Sequence, residues 1–233
     1  VKLLRGNRGR ITAEQVLVAI HPEDVHKPIS KLVSLENTCN RGGGACYDFK
    51  EIEAIQKVAK SNGLGLHLDG ARIFNAIVHK KEDPTQYGKV FDSISICLSK
   101  GLGAPVGSVL LGAAPFIKKA RRWRKVFGGG MRQAGSLAAA GIYALDNHVQ
   151  RLKEDHLRAK ALEKILLTMP YVDSVLPVYT NIIIFNLKKD KISGLDFEKK
   201  LLEYVSKGVT RDDPLNLHLE PVKIKAKRTI ILR

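Results

Sequence analysis

Short apolar runs separated by amphipathic or glycine-bearing segments constrain this chain most. Residues 31–36 (Lys-Leu-Val-Ser-Leu-Glu), 64–68 (Leu-Gly-Leu-His-Leu), 92–98 (Asp-Ser-Ile-Ser-Ile-Cys-Leu) and 106–111 (Val-Gly-Ser-Val-Leu-Leu) each read as a β-strand. Between the first two, Asp48 caps a helix in which Phe49, Ile52, Ile55 and Val58 recur at helical spacing, and Asn62-Gly63 closes it. Upstream, Thr12-Ala13-Glu14-Gln15 has the form of a capping box and opens a helix that stops before Pro22. Strand-helix-strand alternation predicts an α/β fold with a mostly parallel sheet, covered by helices on both faces.

Past that sheet the pattern turns helical, over residues 115–125, 131–147 and 151–168, until Met169-Pro170 breaks it. A strand over 181–187 and a helix over 196–207 then suggest a smaller α+β unit. The expected division is a large domain over 1–148 and a small one over 149–233. With 233 residues and 44% hydrophobic content, the chain can bury a core of that size.

The formal charge of +16 implies attraction to anions, whether nucleic acid, a membrane surface or a phosphorylated ligand. Its densest cluster is Lys118-Lys119-Ala120-Arg121-Arg122-Trp123-Arg124-Lys125, and Lys223, Lys225, Lys227 and Arg228 form a second. Neither is accompanied by zinc-finger spacing or an RNP-type aromatic motif, so the first reads as a solvated or subunit-facing helix and nucleic acid is not the expected partner. No apolar run reaches membrane-spanning length and no secretory leader is evident, so a soluble cytoplasmic protein is expected. The three cysteines, Cys39, Cys46 and Cys97, form no C-x-x-C pair and are expected to be free thiols, with no metal site.

The chemistry concentrates at two strand ends. Asp69 and Arg72 stand in His67-Leu68-Asp69-Gly70-Ala71-Arg72, and Lys100 in Leu98-Ser99-Lys100-Gly101-Leu102-Gly103. In α/β proteins such positions face ligands. Asp69 could instead cap the next helix, Arg72 could pair with it there, and Lys100 could be an ordinary surface lysine. Against that stands a chemical match: a carboxylate for a pyridinium nitrogen and a lysine able to form a Schiff base are the groups pyridoxal 5′-phosphate (PLP) most needs. Gly101, Gly103 and Gly107 are expected to let the backbone approach a ligand, and Lys100 to be partly desolvated.

Taken together these segments resemble the low-specificity threonine aldolases, PLP-dependent lyases of the β-eliminating lyase/threonine aldolase family. The resemblance is carried by Asp24-Val25-His26, Leu35-Glu36-Asn37-Thr38, His67 to Ala76, Ile96 to Gly103, Arg122 to Lys125 with Gly128-Gly129-Gly130-Met131-Arg132-Gln133, and Ala138 to Leu145. It implies the PLP-dependent transferase-like fold of the aspartate aminotransferase class (fold type I). It also implies retro-aldol cleavage of L-threonine or L-allo-threonine to glycine and acetaldehyde. Lys100 is then similar to the Schiff-base lysine, and Asp69 to the partner of the pyridine nitrogen. Arg72 matches the arginine near the cofactor's phenolic oxygen and the substrate carboxylate. His26 matches a histidine that places or deprotonates the substrate hydroxyl. Arg132 and Lys125 correspond to groups that reach a neighbouring subunit's phosphate, which implies a homodimer or homotetramer.

The chain also departs from that pattern. Complete members carry an earlier segment with a Gly-Thr phosphate loop, a residue that stacks on the cofactor ring and parts of the substrate pocket. This sequence begins at Val1 already inside the pattern, so a fragment or truncated gene product is expected. Gly42-Gly43-Gly44 is expected to serve another purpose than phosphate binding, and Cys39 stands where many members have histidine. Arg228 is the nearest candidate for the carboxylate-binding arginine that closes the family's small domain. Two other readings stay open: a homologue without full catalytic competence and, more remotely, a basic nucleic-acid-binding module.

Overall fold

The computed structural model of the chain describes residues 1–188, 190–206 and 229–232. In order these form α1 (Ala13–Ala19), β1 (Leu32–Glu36), α2 (Phe49–Ser61), β2 (Gly65–Asp69), α3 (Ile73–Lys80), α4 (Pro84–Val90), β3 (Ser93–Cys97), β4 (Ser108–Gly112) and α5 (Ala114–Val126). There follow α6 (Gly135–Asn147), α7 (Leu152–Thr168), β5 (Val172–Val175), β6 (Ile183–Leu187), α8 (Gly194–Ser206) and β7 (Thr229–Leu232). The chain divides into two compact units, Val1–Glu154 and Asp155–Arg233.

In the first unit the sheet order is β1-β2-β3-β4. β1, β2 and β3 run parallel, and β4 returns antiparallel to β3. The register aligns Leu35 with Leu68 and Leu68 with Ile94, whereas Glu36, Asp69 and Ser95 form the next row. Because successive side chains point to opposite faces, Val33, Leu35, Leu66, Leu68 and Ile94 share one face. All five are buried, in one core with Ile52, Ile55 and Ala59 of α2, Ile73, Ala76 and Ile77 of α3, and Tyr87 and Val90 of α4.

The opposite face carries Ser34, His67, Asp69 and Ser95, exposed or half-buried, together with Ser93, which is buried against His67. Among the described residues the sheet is therefore covered on one face, not on both. Both crossovers, α2 and the α3–α4 pair, pack on the same side, as uniform right-handed connections between parallel strands in this order require.

Local signals set the helix ends. Thr12 Oγ1 accepts from Gln15 N at 3.3 Å while Gln15 Oε1 accepts from Thr12 N at 3.0 Å, a complete capping box. Asp48 Oδ1 accepts from Lys50 N at 3.0 Å, and Gly63, at φ +64°, takes the left-handed turn after α2. α6 begins at Gly135, later than the apolar pattern suggests, because Gln133 at φ 51° interrupts the helical backbone.

The second unit packs Ala159 and Leu166 of α7 against Val172, Val178, Ile183, Phe185 and Leu187 around the antiparallel sheet β5-β6-β7. Glu163 is buried beside them and its carboxyl is held below its usual range. Desolvation opposes that shift, but Lys160 Nζ at 2.5 Å and the Val178 N–H at 2.9 Å outweigh it. No helix among the described residues is long and apolar enough to cross a membrane.

The division between core and periphery is directly measurable. Ile55 is 0% exposed and Ile142 60% exposed. In urea unfolding followed by circular dichroism, Ile55→Ala is expected to lower stability by about 2–5 kcal/mol, and Ile142→Ala by no more than about 0.5 kcal/mol.

Candidate active site

The end of β2 is held from three sides. Asn37 N donates to the Asp69 carbonyl at 3.1 Å, Gly70 N donates to Ser95 O at 2.8 Å, and Asp69 Oδ1 accepts from Ala71 N at 3.0 Å. At Gly70 a Cβ would lie 2.9 Å from Ser95 O, so no larger residue fits without moving β3. Asp69 thus closes the turn and does not cap α3, whose N-cap is Arg72. Its second oxygen, Oδ2, carries no hydrogen bond among the described residues. Arg72, three residues further on, is buried at 8% exposure, whereas Asp69 is exposed.

Asn37 belongs to a buried polar chain. Tyr47 N donates to Asn37 Oδ1 at 3.3 Å, Asn37 Nδ2 reaches Tyr87 Oη at 3.4 Å, and Tyr87 donates to Glu82 Oε2 at 2.6 Å. Burial, followed by the Glu82 acceptor, pushes the Tyr87 hydroxyl well above its ordinary range, so it remains a donor.

Lys100 lies on the turn between β3 and β4. That turn is closed on itself by Gly103 N to Lys100 O at 2.8 Å, Ala104 N to Leu98 O at 3.0 Å and Leu98 N to Gly107 O at 2.9 Å. Its glycines serve the backbone and the packing. Gly103 and Gly107 have φ of +73° and +121°, and at Gly101 a Cβ would come 2.9 Å from Leu152 Cδ2. At Gly101 the space a side chain would take is occupied by Leu152. Lys100 itself is exposed, not desolvated, since the turn stands at the sheet edge beside a β4 whose residues are all exposed.

Because β2 and β3 are adjacent and parallel, with Asp69 opposite Ser95, Asp69 and Lys100 both leave the sheet at its carboxyl edge. The other candidates lie on separate segments. His26 is exposed in the connection between α1 and β1, with its N–H on Asp24 Oδ1 at 2.9 Å. Lys125 stands in the last turn of α5 and Arg132 in the α5–α6 connection, both exposed. No residue of α5 is buried, and Trp123 stacks on Phe127 with centroids 5.9 Å apart. Arg228 lies outside the described residues. In the Gly42–Gly44 loop the carbonyls of Gly42 and Gly43 accept from Arg8, and the N–H groups of Gly43 and Gly44 bond to Asn40 and Cys39. Those two amides are therefore already engaged within the loop.

Two histidines close to these elements had no sequence signal of a role. His67, on the Asp69 face of β2, has Nδ1 2.8 Å from Ser93 Oγ, and His148 has Nδ1 2.6 Å from Leu102 O. Each contact joins residues far apart in the chain.

The thiols separate by environment. Cys39 follows β1, is 1% exposed and donates to Glu36 O at 3.0 Å; desolvation, then the Glu36 charge, pushes it up to about 12. Desolvation does the same to Cys46, to about 12, whereas Cys97 is half-buried. At pH 8 a thiol with such a value is ionised about one part in 10⁴. Native protein titrated with a thiol-reactive chromophore at pH 8 should therefore release one equivalent promptly, from Cys97, and the other two only on unfolding. Since folded Cys39 and Cys46 hold their protons above the reference value of 9.0, stability should fall as pH rises from 9 toward 12.

The donor set fits one kind of group. A strand-end carboxylate with one oxygen unbonded, an exposed amine on the turn after the adjacent strand and a buried arginine three residues past the carboxylate match in kind a basic ring nitrogen, an aldehyde carbon and an anionic oxygen. Those are the functional groups of PLP.

Comparison with known proteins agrees. The family model described as Beta-eliminating lyase matches residues 1–190. The chain is 49% identical over 148 residues to the low specificity L-threonine aldolase of Escherichia coli K12, covering 64% of this chain and 44% of that protein. It is 38% identical over 207 residues to the low specificity L-threonine aldolase of Saccharomyces cerevisiae, covering 88% and 52%. The crystal structure of Leishmania major threonine aldolase superposes with a TM-score of 0.72 at 23% identity, over 98% of this chain and 63% of that one, a likeness of fold. The chain spans about half the length of the curated relatives it matches. A strand-end aspartate and lysine on a mostly parallel sheet, the family match over residues 1–190 and the shared fold lead to one conclusion: the chain belongs to the β-eliminating lyase family and has its PLP-dependent fold type I architecture.

Proposed function

We propose that this chain carries the cofactor-binding core of a low-specificity threonine aldolase, which cleaves L-threonine or L-allo-threonine to glycine and acetaldehyde. The observation that carries the reading is the departure of Asp69 and Lys100 from one carboxyl edge of adjacent parallel strands. PLP, when bound, supplies the sink for the electron pair released as the Cα–Cβ bond breaks.

In this reading Lys100 is the amine for the cofactor aldehyde and Asp69 keeps a proton on the ring nitrogen. Arg72 offers a planar fork to the phenolic oxygen and the substrate carboxylate. Loss of the β-hydroxyl proton gives acetaldehyde, and Lys100 Nζ is suited to return a proton to Cα as glycine forms. Arg132 and Lys125 serve the phosphate of a neighbouring subunit, in a homodimer or homotetramer. His26, exposed in the connection before β1, is the group proposed to place the β-hydroxyl and take its proton, directly or through water. A place in glycine formation and threonine breakdown in the cytoplasm belongs to the same proposal, supported by two thiols buried without a disulfide.

A second reading has its own support. β4 is exposed along its whole length, α5 has no buried residue and Lys100 is exposed, which fits a homologue that lacks full catalytic competence. Incubation with PLP, then with L-threonine, separates the two by visible absorption and acetaldehyde release. The aldolase reading expects a visible band that Lys100→Ala abolishes, and an acetaldehyde rate that Asp69→Ala lowers by about 10²–10³-fold. A band without acetaldehyde supports the second reading, and no band defeats the first.

A further inference from the structure

We propose that His148 is a positioning residue for Lys100, acting through the Leu102 carbonyl; this deepens the aldolase reading and rests on it for its consequence. Among the described residues the turn from Leu98 to Gly107 is otherwise hydrogen-bonded to itself, by the three backbone contacts given above, while Leu98, Leu102 and Ala104 pack with Ala144 and Leu152. From outside, a single described hydrogen bond reaches it: His148 Nδ1 lies 2.6 Å from the carbonyl of Leu102, two residues beyond Lys100.

A carbonyl oxygen only accepts, so Nδ1 carries the proton and the ring is fixed in that tautomer. The ring is itself anchored. His148 is the C-cap of α6, its N–H bonds Ala144 O at 2.9 Å, and its ring meets Tyr143 edge-on with centroids 5.5 Å apart. Gly103 lies beside the ring, and it is the backbone at φ +73°, not lack of space, that asks for glycine there. Leu102 is 4% exposed, so without His148 its carbonyl loses its one described side-chain donor in a site with little water to replace it. The end of α6 thereby restricts the backbone that presents Lys100 at the sheet edge.

The test compares His148→Asn, whose amide N–H stands where Nδ1–H stood, with His148→Asp, which has the same shape and no donor. Full-length protein without cofactor is read by amide hydrogen exchange at Gly103 and Ala104. The same proteins are then treated with PLP and borohydride, and labelling of Lys100 is compared with that of Lys60 by peptide mass spectrometry. H148D should exchange about tenfold faster at both amides and label Lys100 about tenfold more slowly, with Lys60 unchanged. H148N should stay within twofold of the parent on both readouts. Parental behaviour of H148D, or equal loss in H148N and H148D, overturns the proposal. If the parent itself takes no label at Lys100, the aldolase reading fails while the exchange data still decide whether His148 holds the turn. Failure of H148D to fold leaves H148N to decide: parental exchange and labelling uphold the donor, and loss of either removes it.

Discussion

The cross-strand row Glu36–Asp69–Ser95 is the constraint from which the rest of the first unit follows. A strand has a side-chain period of two, so fixing that row also fixes Leu35, Leu68 and Ile94 on the opposite face, where α2, α3 and α4 bury them. A slip by one residue would put Leu68 in water and Asp69 in the core. The apolar core thus sets the azimuth of Asp69, and the parallel direction of β2 and β3 sets the edge at which both Asp69 and Lys100 emerge. Core and site are two faces of one register.

Beyond the strand ends, positioning passes to short backbone contacts. Asn37 N on the Asp69 carbonyl ties the β2 terminus to a buried Asn37–Tyr87–Glu82 chain, and the Lys100 turn is shaped by Gly103 and Gly107 in conformations that other residues adopt only under strain. These devices act on different atoms. Asp69 is fixed by hydrogen bonds on both sides of its Cα, whereas Lys100 is fixed by the curvature of a loop.

Much of this was legible in the sequence because the signals are local. The capping box at Thr12, the Asp48 cap and the spacing of Ile52 and Ile55 state their own geometry within a turn or two. Asp69 and Lys100 were readable because each follows a short apolar strand. What escaped depends on contacts distant in the chain. Gly101 looks like a ligand-approach glycine until Leu152 is found against it. His148 meets a carbonyl 46 residues away, which no window can register. Single-face coverage of the sheet was likewise hidden, since alternation of elements gives their order and not the side on which each crossover packs.

The polarity of the sheet's second face explains why its exposure is uneven in consequence. Ser34, His67, Asp69 and Ser95 lose little by meeting water. β4 differs, because Val109, Leu110 and Leu111 are apolar on both faces and are 37%, 39% and 43% exposed, and the adjoining α5 shows Phe116 and Trp123. Apolar side chains on both faces are the composition of an interior strand, and water over them is unfavourable at about 25 cal/mol per Å². The Lys100 turn joins this strand directly. Covering β4 would therefore do two things at once: remove apolar surface from water and lower the local dielectric around the amine and carboxylate at the same edge, where electrostatic interactions strengthen as water is excluded.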